Sequence, residues 1–204
     1  MPPSTGNRRI AQGLQSRARL VQAARDLFER QGYAGTSTEA LLAATGLTRG
    51  ALYHHFRDKQ DLFLAVCDAI HAELSEAIAA VCEGLGDPAE QLIAGSLAWI
   101  DAVSAPGPRQ VLLIDAPSVL GAEQWAALDD RHGFRQLREG VLALLQPVDT
   151  AAGQQAEAAA VALNGAINAL AAWGGELPAP QRREALTEVL RRLYGGLLPG
   201  PSLL

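Results

Sequence analysis

Apolar residues recur three and four positions apart along most of this chain, which is the spacing of one buried face of an α-helix. The longest such stripe contains Phe63, Val66, Cys67, Ile70, Leu74, Ile78 and Val81. Alanine and leucine are abundant, and no run alternates between apolar and polar residues for long enough to indicate a strand. The pattern therefore predicts an all-α fold.

Capping residues mark the first helices. A helix is predicted over residues 16–31, preceded by a polar, flexible arm at residues 1–14. Thr36 stands three residues before Glu39, which is the spacing of a capping box, and would begin a second helix that stops at Gly46.

A third short helix would follow, with Thr48 as its cap and with Leu52 and Phe56 facing the core. The positions left outside are Thr48, Arg49, Ala51, Tyr53, His54 and His55, and Gly50 would let the helix backbone come close to DNA. In a major groove, arginine binds guanine edges, the threonine methyl group contacts thymine, and tyrosine and histidine reach phosphates. We therefore interpret the second and third helices as a helix-turn-helix that binds double-stranded DNA.

The charge distribution agrees with that interpretation. The chain has a net charge of −5, but residues 1–66 contain nine Arg/Lys against five Asp/Glu, and the remainder contains eight against 17. A basic head on an acidic body suggests a polyanionic partner for the head alone.

Several short motifs occur in a fixed order in the first third of the chain: Gly32-Tyr33, Thr36-Ser37-Thr38, Gly46 to Phe56, Lys59 and Leu62-Phe63. This order resembles the DNA-binding head of the tetracycline-repressor (TetR) family. The resemblance implies DNA contacts from Thr38, Thr48, Arg49, Gly50, Ala51, Tyr53, His54, His55 and Lys59. It also implies a homodimer on a palindromic operator.

Lys59 is the only lysine of the chain. It would begin a fourth helix capped by Asp58, where a cation opposes the helix dipole. Stability therefore gives no reason for this residue, whereas a contact with a DNA phosphate does.

The rest of the chain is predicted to be a helical body. Residues 15–62 would form the DNA-binding domain and residues 63–204 a ligand-binding and dimerisation domain. Further helices are expected over residues 58–83, 87–105, 122–145 and 150–173, with a last one from Pro178 or Pro180. Small residues in the 150–173 helix and a leucine stripe after it favour a homodimer through the last two long helices. An ordinary intramolecular core is the alternative.

Candidate ligand-binding residues are apolar or amphipathic positions expected to face the interior of the body. They are Trp99, Val103, Leu112, Trp125 and His132, together with Asn164 and Asn168. The two asparagines lie one helical turn apart and need partners, either each other or a bound molecule. With few charges expected inside, the inducer would be a small, mostly apolar or aromatic molecule.

No motif for catalysis, a cofactor or a metal is present, so the chain is not expected to be an enzyme. Asp129 and Asp130 are interpreted as a solvated helix face, and His71 as an isolated histidine. Cys67 and Cys82 would lie about 22 Å apart on one helix, which excludes a disulfide between them and fits the cytoplasm. The uncharged run 158–175 is too weakly apolar to span a membrane.

Together these observations predict a cytoplasmic transcriptional repressor that a small-molecule inducer releases from its operator. The alternative is a helical small-molecule binding protein with no specific operator.

Overall fold

The computed structural model describes residues 5–174 and 178–198, and within these ranges the chain is helical without strands. The helices are α1 (Thr5–Gly35), α2 (Thr38–Thr45), α3 (Arg49–His55), α4 (Lys59–Cys82), α5 (Pro88–Val103), α6 (Pro106–Pro108), α7 (Ala116–Arg131), α8 (Gly133–Leu145), α9 (Thr150–Gly174) and α10 (Ala179–Leu197). A π-helical segment, Arg109–Asp115, joins α6 to α7. The predicted all-α fold is confirmed.

The first three helices form a small head on the start of α4. Phe28 of α1 and Phe63 of α4 meet edge to face with ring centroids 5.1 Å apart, and Leu41 and Leu52 supply buried side chains from α2 and α3. Because α4 continues from the head into the body, where it contacts α5, α7 and α8, one rigid helix belongs to both parts. The predicted boundary at residue 62 falls inside this helix.

The first helix begins earlier than predicted, whereas its predicted end at Gln31 is followed directly by a break at Gly32. It begins at Thr5, so the prediction of an irregular arm is wrong for residues 5–14, while residues 1–4 lie outside the described residues. Gly32 interrupts α1 with φ 70° and ψ 171°, a conformation that is essentially restricted to glycine.

The cap of α2 is Ser37 and not the predicted Thr36. The Ser37 hydroxyl accepts a hydrogen bond of 3.1 Å from the backbone N–H of Ala40. Thr36 is instead fully buried, and its hydroxyl donates to the carbonyl of Gly32 across the break in α1. The predicted capping box is therefore wrong, because Thr36 stabilises the preceding turn.

The body is built from α4 to α10 around α5. The cap Asp58 and the start of α9 at Thr150 were predicted correctly, and α5 begins where a helix from residue 87 was predicted, with Asp87 as its cap. The predicted 122–145 helix is instead two helices that meet at His132. Cys67 and Cys82 lie on α4 and are both free, as predicted. Among the described residues, no helix is long and apolar enough to cross a membrane.

Candidate DNA-binding surface and ligand cavity

One face of helix α3 packs against the core, and the opposite face is exposed. Leu52 and Phe56 are buried, one turn apart, as the sequence predicts. Thr48 caps the helix, since its hydroxyl accepts a hydrogen bond of 3.3 Å from the backbone N–H of Ala51. The buried pair and the cap together fix which face of this short helix points outward.

The outward face carries most of the predicted DNA-contacting residues. Thr48, Arg49, Gly50, Tyr53 and His54 are exposed, whereas Ala51 and His55 are half-buried. Tyr53 exposes 46% of its surface, so its ring and hydroxyl are accessible to a partner. The helix thus presents a continuous surface of hydrogen-bonding groups to its surroundings.

An ion pair joins the starts of α2 and α3. The Arg49 guanidinium donates to the Glu39 carboxylate at 2.6 Å, and both side chains are more than half exposed. Thr38, the first residue of α2, directly precedes Glu39 and is half-buried. In this structure Glu39 occupies part of the hydrogen-bonding capacity of Arg49.

Lys59 has a structural use that the sequence did not reveal. Its ammonium group donates to the carbonyls of Tyr33 and Thr36 at 2.9 and 3.0 Å and lies 4.0 Å from the centroid of the Tyr33 ring. Burial lowers the pKa of Lys59. Stability does give a reason for this lysine, contrary to the expectation from the helix dipole, because Lys59 ties α4 to the turn between α1 and α2.

Further contacts fasten the head to the body, and sequence reasoning missed them. Arg25 of α1 pairs with Glu73 of α4 at 2.6 Å and with Glu29 of its own helix at 2.8 Å. The Asp115 carboxylate accepts a hydrogen bond from the backbone N–H of Tyr33. No local pattern predicts the contacts of Arg25 with Glu73 or of Tyr33 with Asp115, because these partners are 48 and 82 residues apart in the sequence.

A cavity of about 910 Å³, partly open to solvent, lies in the body between α4, α5, α8 and α9 and next to the end of α7. This is within the range of small-molecule sites, about 300–1,000 Å³. Of the predicted ligand residues, Trp99 and Asn164 line it. Val103, Leu112, Trp125, His132 and Asn168 do not line this cavity; the first two are fully buried in the core.

The two predicted asparagines share a partner, and that partner is Asp129. Its carboxylate accepts hydrogen bonds from the side-chain amides of Asn164 at 2.7 Å and Asn168 at 3.4 Å. The Asn168 amide oxygen accepts from the Trp99 indole N–H at 3.2 Å. Asp129 is only 7% exposed, so its interpretation as part of a solvated face is wrong. Burial raises the pKa of Asp129, and the two amides oppose that shift.

A ring cluster lies next to this network. His71 is fully buried, and its ring centroid lies 5.2 Å from Trp99, 5.5 Å from Trp125 and 5.8 Å from His132, so it is not isolated. Within the described chain neither ring nitrogen has a hydrogen-bond partner, and burial lowers the pKa of His71 to about 3. His132 is instead paired with Asp68 at 3.0 Å. No group of three potential metal ligands occurs among the residues that the structure describes.

Two family models match the chain. Residues 20–66 match the model described as bacterial regulatory proteins of the tetR family, and residues 89–197 match a tetracyclin repressor-like C-terminal domain. The first match covers the head with α3, and the second covers the helices around the cavity from α5 to α10.

Individual relatives agree with these matches. The HTH-type transcriptional repressor AcnR of Corynebacterium glutamicum is 41% identical over 63 residues, which are 31% of this chain and 34% of that protein. The repressor Rv1474c of Mycobacterium tuberculosis is 41% identical over 71 residues, 34% of this chain and 36% of that one. The aligned part thus spans about a third of these curated relatives.

A solved structure matches over nearly the full length. A TetR-family transcriptional regulator from Pectobacterium atrosepticum is 30% identical, with 94% of this chain and 98% of that chain covered and a TM-score of 0.74. The chain belongs to the TetR family of bacterial regulatory proteins.

Proposed function

We propose that this chain is a cytoplasmic, DNA-binding transcriptional repressor that works as a homodimer. The observation that carries the proposal is the exposed face of α3, where Arg49, Tyr53 and His54 point outward while Leu52 and Phe56 hold the helix to the core. Such a helix would enter the major groove and bind base edges through Arg49, with tyrosine and histidine side chains on phosphates. The rest of the proposed contact surface consists of Thr38, Thr48, Gly50, Ala51, His55 and Lys59.

The last two helices support a dimer. Val161 and Trp173 of α9 and Val189 and Leu197 of α10 are all at least 41% exposed, although each is a large apolar side chain. Exposed small residues such as Gly165 lie on the same part of α9 and would allow a second copy to approach closely. A two-fold axis at this surface would give one recognition helix to each half of a palindromic operator, with half-sites about 34–36 Å apart or a multiple of that distance.

The cavity supports a mechanism in which a small molecule binds in the body and releases the protein from DNA. The contacts between head and body support coupling between ligand binding and DNA binding. Trp99 and Asp129, which belong to the cavity network, lie on α5 and α7, and the π-helical segment between these helices holds Tyr33 through Asp115. An inducer that favours one arrangement of this segment would change the position of the head. Coupling of this kind is reciprocal, so operator DNA must weaken inducer binding by the same factor.

Selection of genomic fragments by the purified protein, followed by gel shifts across a salt series, tests the function. The proposal expects one enriched palindrome, bound more tightly than unrelated DNA of equal length. Equal affinity for both would overturn it and favour a helical small-molecule binding protein with no specific operator.

A further inference from the structure

We infer that the cavity of the body binds an organic cation, an amine joined to an apolar or aromatic group. The inference names the ligand class of the proposed regulator and rests on that proposal. Every charged side chain that lines the cavity is a carboxylate, and no lysine, arginine or histidine is among the described lining residues. The four carboxylates belong to Glu76, Glu83, Asp129 and Glu139.

None of these carboxylates has a cationic partner within the described chain. Other acids of the body do: Asp101 pairs with two arginines, and Asp68 pairs with Arg131 and His132. The cavity is partly open to solvent, and its negative charge has no ion-pair partner among the described residues, so a bound cation would have a more favourable electrostatic environment than in a neutral cavity of the same size.

The four acids differ in depth. Glu76, Glu83 and Glu139 are exposed, which places them towards the opening of the cavity, whereas Asp129 is buried. The amides of Asn164 and Asn168 both point at the Asp129 carboxylate. Two amide donors stabilise the ionised carboxylate at this depth, but burial still raises its pKa. His132, the histidine that acts on it electrostatically, is itself paired with Asp68 and forms no ion pair with Asp129. A ligand ammonium group would supply that missing ion-pair partner.

A second polar atom indicates a hydrogen-bond donor on the ligand. Gln136 lines the cavity, and its side-chain nitrogen donates to the carbonyl of Ser75 at 3.2 Å. Its side-chain oxygen is buried and has no partner among the described residues. A buried acceptor without a donor costs about 1–3 kcal/mol, and an ammonium N–H is a strong donor for it.

The remaining wall suits the body of such a ligand. Ile78, Leu92 and Ile167 are buried apolar side chains of the lining, and Trp99 adds an aromatic ring on the side of Asp129. Ring faces attract cations as well as apolar groups. An anionic ligand, such as a fatty acid, would instead bring its charge to four carboxylates without a compensating arginine or lysine.

Three probes of one shape test the charge preference: 4-phenylbutylamine, 4-phenylbutanol and 4-phenylbutyrate, titrated calorimetrically into the full chain without DNA at pH 7.5. We expect the amine to bind at least tenfold more tightly than the carboxylate and more tightly than the alcohol. Tighter or equal binding of the alcohol or the carboxylate, or no detectable binding of the amine, would overturn the inference.

The Asp129→Asn variant keeps the size of the side chain and an acceptor for the amides, and should lose at least tenfold in amine affinity with little change for the alcohol. Asp130→Asn is the matched control, because Asp130 pairs with Arg138 and does not line the cavity. If Asp129→Asn unfolds, Glu139→Gln should still reduce amine affinity by about twofold to threefold, and an unchanged affinity would count against the inference. The titrations contain no DNA, so the ligand class and the proposed repressor can fail separately. If the protein selects an operator but does not prefer the amine, only the ligand class is overturned. If the protein binds the amine but selects no DNA, the proposed repressor is overturned.

Discussion

The carboxylate of Asp115 accepts a hydrogen bond of 2.8 Å from the backbone N–H of Tyr33, a residue 82 positions earlier in the chain. Tyr33 directly follows Gly32, where α1 is interrupted, so the N–H finds its acceptor in the body and not in its own helix. Asp115 ends the π-helical segment that connects α6 to α7. The turn before α2 is thereby fixed to a part of the body, and a displacement of the segment would move the turn.

The variant Asp115→Ala should lower the free energy of unfolding by about 1–3 kcal/mol, because the Tyr33 N–H is left without its charged acceptor. Asp115→Asn retains a side-chain oxygen and should lose less. Urea unfolding measures the stability, and hydrogen exchange at Tyr33 reports the local contact. Unchanged exchange at Tyr33 in Asp115→Ala would show that the hydrogen bond does not hold the turn.

The variant Gly32→Ala should destabilise the protein by about 1–3 kcal/mol through backbone strain alone, since few residues other than glycine adopt φ 70° with ψ 171°. A Cβ atom would also lie 3.1 Å from the Gln110 side-chain nitrogen and 3.3 Å from an Asp115 oxygen. Thermal unfolding gives the measurement. Gly153→Ala is the control: its Cβ would meet nothing within 4 Å inside α9, so it should stabilise by about 0.5–1 kcal/mol.

Sequence patterns predict the structural features that depend only on residues close together in the chain. Caps such as Thr48, Asp58 and Asp87 act within three residues of their own position, and apolar pairs such as Leu52 and Phe56 face the same side by helical periodicity alone. The exposed face of α3 therefore follows from the amino-acid sequence alone. The cap of α2 was predicted one residue too early, because Thr36 and Ser37 are both good caps and only the break at Gly32 decides between them.

Long-range contacts could not be predicted in the same way. Asp129 and Asp130 are neighbours of identical chemistry, yet one is buried under two asparagines 35 and 39 residues later and the other pairs with Arg138 on the surface. Which of them faces inward depends on how α7 is rotated against α9, and no local pattern specifies that rotation. The negative charge of the cavity was missed for this reason.

The variant Lys59→Met should weaken both the fold and DNA binding. It leaves the carbonyls of Tyr33 and Thr36 without their charged donor, for an expected loss of about 1–3 kcal/mol in the free energy of unfolding. If the ammonium group also contacts a phosphate, the slope of log affinity against log salt should become shallower by about one unit.

Stability and salt dependence separate the two roles of Lys59. A variant that unfolds more easily but retains the wild-type salt slope would have only the structural role. Arg57→Ala is a useful comparison, because Arg57 is exposed and its ion pair with Asp61 is on the surface, so its loss should leave the turn between α1 and α2 intact.

The variants Arg49→Ala and Glu39→Gln should change DNA binding in opposite directions. Arg49→Ala removes the proposed base contact and should reduce the preference for the operator over unrelated DNA by about 1–3 kcal/mol. Glu39→Gln removes the carboxylate that pairs with Arg49 at 2.6 Å, so it should strengthen binding to the operator. Competition gel shifts give both numbers. An unchanged operator preference in Arg49→Ala would remove this residue from the base-reading surface.

His71 should make the fold sensitive to acid. Its pKa is lowered to about 3 in the folded protein, first by burial and then by His132, with Arg131 acting in the same direction and Asp68 against it. In the unfolded chain the pKa returns to about 6.5. Between these values the unfolded state binds more protons than the folded state, so the free energy of unfolding falls as the pH falls, by at most about 1.4 kcal/mol per pH unit from this group.

The variant His71→Phe keeps a ring in the cluster but removes this proton uptake. Between pH 7.5 and 5.0 the wild-type protein should lose about 1–2 kcal/mol more stability than His71→Phe, as measured by urea unfolding at both pH values. Trp125→Phe changes another ring beside His71 and leaves both histidines in place, so it should keep the pH dependence of the wild type. If His71→Phe also kept that dependence, proton uptake on unfolding would belong to other groups, and the buried imidazole would be no source of acid sensitivity.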